Sequence, residues 1–307
     1  MLERLARECY LIRYHWLRRS PIWRRSTTAE RAQSILREAL GESDLRVLEK
    51  IEAGHSVVVK LNGGRLVKFA SSPRDAWRLL VESLLLECLR PRLGERVPAS
   101  VYHGYIQPFA VQTFLEGRPI ADGDLPLCEV PLPEALFERL CLDIQRIHSL
   151  RPNLKLWLFG KHLPGIQAIG RLFCVVPVLP YVRHKSRLLR YAFRCLTGCF
   201  DSRQWGWCHL DWHTGNVLCS EAGTLRYIDF ALAAWAPTSL DWAHIVPPES
   251  ISRFRRIMNR HHLRAPSRHL MRAAIALTTC YDARYDRKLP WRETARRTDT
   301  IIERLRK

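Results

Sequence analysis

The hydrophobic rhythm of the chain changes twice. Over 2–19, Leu5, Cys9, Ile12 and Trp16 recur at helical spacing, with Arg4, Arg7, Arg13, Arg18 and Arg19 around them, and Pro21 ends the pattern. Residues 29–40 repeat the helical spacing. From 45 to 70 the rhythm shortens to β-branched alternation, and Gly63-Gly64 predicts a hairpin with strands near 55–61 and 65–70. A helix follows over 73–93, opened by Pro73, and 97–117 reads as two more strands. From 133 the helical period returns over 133–150, 183–200 and 266–283. Between the last two lie the strand-like segments GNVLCS and LRYIDF, split by the turn EAGT. This order predicts an α+β chain in three parts. A basic N-terminal helical extension spans 1–44, a small β-rich N-lobe 45–115, and a larger helical C-lobe 116–307.

Length and composition agree with a folded chain. The 307 residues are 47% hydrophobic, enough for a sizeable core. The longest apolar candidate for a membrane span, LFCVVPVLPYV at 172–182, is too short and carries two prolines. The ten cysteines sit mostly in apolar runs without a preceding signal peptide, so a reducing cytoplasm and free thiols are expected. Cys195, Cys199 and Cys208 lack a paired CxxC and a fourth ligand for zinc. The net charge is +19, which favours anionic partners: nucleic acid, an acidic lipid surface or a phosphorylated substrate. The segment 2–19 fits a helix packed on its own domain, an interfacial helix on anionic lipid, or a nucleic-acid arm.

The chemistry gathers in HLDWHTGN, 209–216, and in YIDF, whose Asp lies thirteen residues past Asn216. Phosphoryl transfer asks a protein for metal ligands, a phosphate cradle and a group to orient the attacking hydroxyl. Asp211 can accept or orient the hydroxyl proton. Asn216 and Asp229 offer the hard oxygens that Mg²⁺ takes. Either Asp alone is weak; the ordered set is restrictive.

The run HLDWHTGNVL, LRYIDFALAAW, SLDWAH resembles the aminoglycoside phosphotransferase and choline kinase group of small-molecule kinases, possessing a bilobal protein kinase-like fold. His209, Asp211, His213, Gly215 and Asn216 match its catalytic loop, Asp229-Phe230 its metal-binding Asp, and Asp241 a later Asp-Leu-Ala element. FLEGRPI (114–120) and DIQRIHSL (143–150) also match in place. The resemblance implies ATP and Mg²⁺ as cofactors and a hydroxyl as acceptor. It makes Lys68 the nucleotide lysine, with Lys60 as competitor, and Glu82 its carboxylate, with Glu87 as alternative. Gly54, His55 and Ser56 stand where a phosphate-covering turn belongs. There are two departures: Leu210 replaces the Gly of His-Gly-Asp, and Ala231 stands where many relatives have Gly, a change expected to restrict the loop. His209 and His213 are expected to brace the loop, and His148 to pack at a helix end.

The acceptor is less defined. From 231 to 307 the chain carries 16 Lys and Arg against 7 Asp and Glu. A pocket for polycationic aminoglycosides should be acidic, so a small-molecule or glycolipid hydroxyl is expected instead. A lipopolysaccharide core sugar at the inner face of the cytoplasmic membrane fits, with peripheral contact to anionic lipid. Two other classes compete: a catalytically silent kinase-like scaffold, and a basic nucleic-acid binder. Against the last, no zinc-finger or RNA-binding aromatic signature is present.

Overall fold

The structure is a computed structural model describing residues 29–306 apart from 54–55, 71–72, 104–108, 124, 157–174, 199–204 and 286–287. The helix expected over 2–19, and with it Gly54 and His55, lies outside the described residues. The described chain forms two compact units. One takes 29–118, 151–156 and 218–232, the other 119–150, 175–217 and 233–306.

The first unit is built on five antiparallel strands: β1 (Val47–Ala53), β2 (Ser56–Leu61), β3 (Arg65–Ala70), β4 (Ser100–His103) and β5 (Phe109–Thr113), in the order β1-β2-β3-β5-β4. Alternation divides the sheet into two faces. Leu61, Val67 and Val111 point to one face, where they meet Ile35 and Leu36 of α1 (Ala29–Leu40). Ala70 and Ala110 point to the other, where they meet Ala76 and Leu79 of α2 (Pro73–Leu93). Small residues on that face let the helix lie close. The β2–β3 turn uses Gly63 and Gly64 at φ of 68° and 65°, a region open to glycine at little cost.

β1 is absent from the sequence reading. VLEKIEA is rich in Glu and Lys, which are poor strand formers, but it pairs along β2 as an edge strand. Charges on an edge resist pairing with other chains, and the partner strand overrides local propensity.

The second unit is helical around α8 (Arg268–Tyr285), which packs on α5 (Lys185–Gly198), α6 (Thr238–Ala243) and α9 (Trp291–Arg304). Its Ala273, Ala274, Ala276 and Cys280 are fully buried, and their small size admits neighbours closely. α3 (Glu134–His148) packs on α7 (Ile251–Arg260), and α4 (Val175–Val178) precedes α5. The helices at 251–260 and 291–304 are additions to the sequence reading. A two-stranded ribbon pairs β7 (Trp205–Cys208) with β10 (Ala234–Pro237). The strands near 217 and 225 appear as β8 (Val217–Cys219) and β9 (Leu225–Tyr227), joined by the expected turn, with β6 (Arg118–Pro119) beside β8; β9, and β8 beyond Val217, belong to the first unit.

Gly206 is a close approach in β7. A Cβ there would stand 2.5 Å from the His148 carbonyl oxygen and 3.0 Å from the Thr238 methyl. Gly206→Ala is therefore expected to destabilise the chain by about 1–3 kcal/mol, read as a lower urea midpoint at unchanged m-value. An unaltered midpoint would show that the backbone yields without cost.

Candidate active site

β3 runs between β2 and β5, and Lys68 faces Val58 on one side and Ala110 on the other. Its side chain leaves the sheet on the α2 face. On α2, Glu82 follows Ala76 and Leu79 at steps of three, so it turns to the same face. Lys68 Nζ donates to Glu82 Oε1 at 2.8 Å and to Asp229 Oδ1 at 2.8 Å. The lysine is 7% exposed. Burial alone would lower its pKa, but the two carboxylates outweigh that and hold the ammonium above the ordinary lysine range. Glu87, five residues along α2, faces solvent. Lys60 is engaged elsewhere, its ammonium 4.2 Å from the centre of the Phe114 ring. Ser56 begins β2 opposite Ala70.

Asp229 adopts φ of 60° as the chain leaves β9, a left-handed conformation that Asp tolerates better than most residues. The next peptide is anchored: Phe230 N–H donates to Glu82 Oε1 at 3.0 Å, and the Phe230 ring is fully buried. One carboxylate oxygen thus receives both the lysine and the backbone beside Asp229. Ala231 lies within the single helical turn Phe230–Leu232 and is not a left-handed residue. The expected restriction at Ala231 is corrected here, because the unusual angle falls on Asp229.

In the second unit, the loop after β7 carries Asp211. Leu210 takes φ of 65°, which explains why glycine suits this motif position. A left-handed L-residue costs about 1–2 kcal/mol. Two contributions offset it here: the leucine side chain is buried with Cys208, Ala234, Ala236 and Leu240, and its N–H donates to Asp241 Oδ1 at 2.8 Å.

Asp241, on α6, is the anchor of this loop. Its Oδ2 accepts the His209 N–H at 3.2 Å and lies 2.8 Å from His148 Nε2, at the end of α3. Burial pushes the Asp241 pKa up, yet the bonds from His148, the Trp212 indole and the Leu210 N–H bring it below the ordinary 3.8. His148 Nε2, Cys208 Sγ and an Asp241 oxygen lie within 4.8 Å of one another. Each Asp241 oxygen already accepts a backbone N–H, so the trio is a hydrogen-bonded cluster and not a metal centre. His209 is fully buried, its ring 4.4 Å from that of Trp212, a bracing position.

Asp211 itself is a third exposed. Asn216 Nδ2 donates to its carbonyl at 2.9 Å and to its Oδ2 at 3.1 Å, and His213 Nε2 lies 3.7 Å from the same Oδ2. Gly123, Leu125 and Leu127 strap the loop: Leu127 N–H donates to the Trp212 carbonyl at 3.3 Å, Thr214 N–H to the Leu125 carbonyl at 2.9 Å, and the Thr214 hydroxyl to the Gly123 carbonyl. Nothing in the sequence pattern announces this strap. Beyond it, residues 128–131, 247–249 and α9 enclose a cavity of about 470 Å³. Each glutamate on its wall has an arginine: Glu293–Arg296 at 2.6 Å, Glu249–Arg304 at 2.7 Å and Glu129–Arg297 at 3.9 Å.

Residues 47–274 match the sequence profile of the phosphotransferase enzyme family, and the chain belongs to it. It is a phosphotransferase with a protein kinase-like fold. Among solved structures it is similar to the GDP complex of aminoglycoside 2′-phosphotransferase-IIIa, with 15% identity, a TM-score of 0.62, and coverage of 90% of this chain and 99% of that one. It is also similar to macrolide 2′-phosphotransferase type I, with 15% identity, a TM-score of 0.57, and coverage of 90% and 97%. Spectinomycin phosphotransferase in complex with ADP and spectinomycin gives 11% identity, a TM-score of 0.55, and coverage of 92% and 98%. No curated protein matches the chain significantly in sequence.

Because the Asp241 pKa is depressed in the folded chain, its ionised form stabilises the fold above 3.8, and that stability is lost as the pH falls through the lower folded value. Asp241→Asn is expected to cost about 1–3 kcal/mol at neutral pH, since an amide presents N–H to N–H. The difference from wild type should shrink on acidification. Urea midpoints measured from pH 7 to pH 3 check this; a constant difference would dismiss the charged form as the anchor.

Proposed function

We propose that the chain transfers the γ-phosphoryl group of ATP to a hydroxyl of a small molecule or a glycolipid sugar. The observation that carries this reading is the buried Lys68, held between Glu82 of α2 and Asp229. A rigid, fully charged ammonium is what the α- and β-phosphates of a nucleotide require. Asp211 accepts or orients the proton of the attacking hydroxyl, and the Asn216 amide aims its carboxylate. Asn216 and Asp229 would hold Mg²⁺. The donor set fits, since the Asn216 nitrogen is committed to Asp211 and its oxygen remains, while the Asp229 side chain is 47% exposed. The cation, when bound, would neutralise charge on the phosphates. The nucleotides in the solved relatives support the same reading.

The acceptor follows from charge. Aminoglycosides, named for several of the solved relatives, are polycations and call for unmatched carboxylates. The three glutamates of the 470 Å³ cavity each face an arginine. The wall of this cavity includes Cys128, the residue that follows the strap in the chain, and its balanced charge suits a neutral or anionic polyol better. We therefore place a sugar, such as one of the lipopolysaccharide core, first among acceptors. The protein would act in the cytoplasm and meet the inner membrane face peripherally.

Asp211→Asn is expected to lower kcat by about 10²–10⁴-fold while ATP affinity stays within a few-fold. Labelled ATP, offered with anionic glycolipids, neutral sugars and aminoglycosides, should label a sugar before an aminoglycoside. If Mg·ATP does not bind, or the Asn variant turns over like wild type, the kinase reading is lost. Preferential labelling of aminoglycosides would overturn only the acceptor.

A further inference from the structure

We infer that the outward face of α5 is a docking surface for an anionic lipid bilayer. The helix buries Leu188, Tyr191 and Cys195 against the second unit. Opposite them, Leu189, Phe193 and Leu196 follow one another at helical spacing and are 50%, 65% and 38% exposed. Three large apolar side chains in one exposed row are not the scattered single residues of an ordinary surface. The row is bordered by Arg190 and Arg194 on one side and by Lys185 on the other. Among the described residues no carboxylate lies within ion-pair distance of Arg190 or Arg194, unlike Arg296, Arg297 and Arg304 of α9.

The surrounding sequence enforces that imbalance. From Ile144 to Phe200 there is no Asp or Glu, against ten Lys and Arg. An apolar ridge edged by unmatched cations has the chemistry of an interfacial helix: the ridge enters the acyl boundary while the cations meet lipid phosphates. Nucleic acid would use the cations but leave Leu189 and Phe193 in water. A second copy of the face would cover the ridge but bring like charges together. No helix among the described residues is long and apolar enough to cross a membrane, so the contact is peripheral.

The test is sedimentation of the full chain, without nucleotide or acceptor, with vesicles of phosphatidylcholine containing about a quarter phosphatidylglycerol. Its result is independent of the phosphotransfer reading. Wild type should sediment with these vesicles and not with pure phosphatidylcholine. L189E/F193E should lower the partition coefficient at least about tenfold at an unchanged melting temperature. R190Q/R194Q should lower it about tenfold and flatten its salt dependence. Absence of wild-type binding overturns the proposal. So does equal partition of wild type and both variants, which would move the contact to another segment such as 2–19. A dimer in light scattering that L189E/F193E converts to monomer, without vesicle binding, would make the ridge a self-association surface instead.

Discussion

The first unit depends on one electrostatic constraint: an ammonium group taken out of water. An unpaired buried charge costs several kcal/mol, so Lys68 is tolerable only while carboxylates answer it. Glu82 comes from a helix that must lie close on the sheet, which Ala70, Ala76 and Ala110 permit. Asp229 comes from a segment that returns more than a hundred and fifty residues later. Sheet, helix and returning strand therefore have to assemble before the lysine can be buried. The same requirement leaves the ammonium rigid and fully charged, the state useful for binding phosphate.

The second unit solves a different problem by a similar device. Asp229 and Leu210 both occupy the left-handed region, at or next to an aspartate of the candidate site. In each case a buried carboxylate secures the adjoining peptide: Glu82 takes the Phe230 N–H, and Asp241 takes the N–H of Leu210 and of His209. The left-handed turn redirects the chain so that the aspartate leaves the core while its neighbours stay in it. Phe230 and Leu210 remain buried, whereas Asp229 and Asp211 stay partly exposed. Hydrogen bonds and burial thus offset the conformational cost, and the exposed acid is the consequence.

Much of this was legible in the sequence where a short motif carries the geometry. Lys68, Glu82, Asp211, Asn216 and Asp229 all stand in ordered motifs or on a helix of clear period. The Gly63-Gly64 hairpin and the helix opened by Pro73 follow from local chemistry. What escaped the reading depends on partners distant in the chain. VLEKIEA becomes a strand only because β2 supplies its hydrogen bonds. The buried face of α9 is Thr294, Ala295, Thr298, Asp299 and Ile302, too polar to show an apolar stripe. Asp299 is in that face because it accepts the N–H groups of Arg183 and His184. α7 is different: Ile251, Phe254, Ile257 and Met258 make a regular stripe that periodicity could have found. The replacement of glycine by Leu210 is plain in the sequence, but its compensation is not, because the leucine side chain fills a cluster made with Ala234, Ala236 and Leu240, distant in the chain.

The net charge of +19 acquires meaning only when its members are sorted by partner. Lys68 faces two carboxylates, and the arginines around the 470 Å³ cavity each face a glutamate. Those cations contribute shape and order more than field, because a paired charge projects little beyond its partner. The longest stretch of unrelieved excess runs from 144 to 200, where the chain has ten Lys and Arg and no acidic residue, and α5 carries part of it into solvent. Basicity in the composition therefore says little about the candidate site, where the buried ammonium of Lys68 is already met by two carboxylates. It concerns the surface on which the molecule meets its surroundings. Under the proposed docking of α5, the unmatched cations of Arg190 and Arg194 serve the surface on which the molecule rests, and the paired Lys68 serves the site at which it reacts.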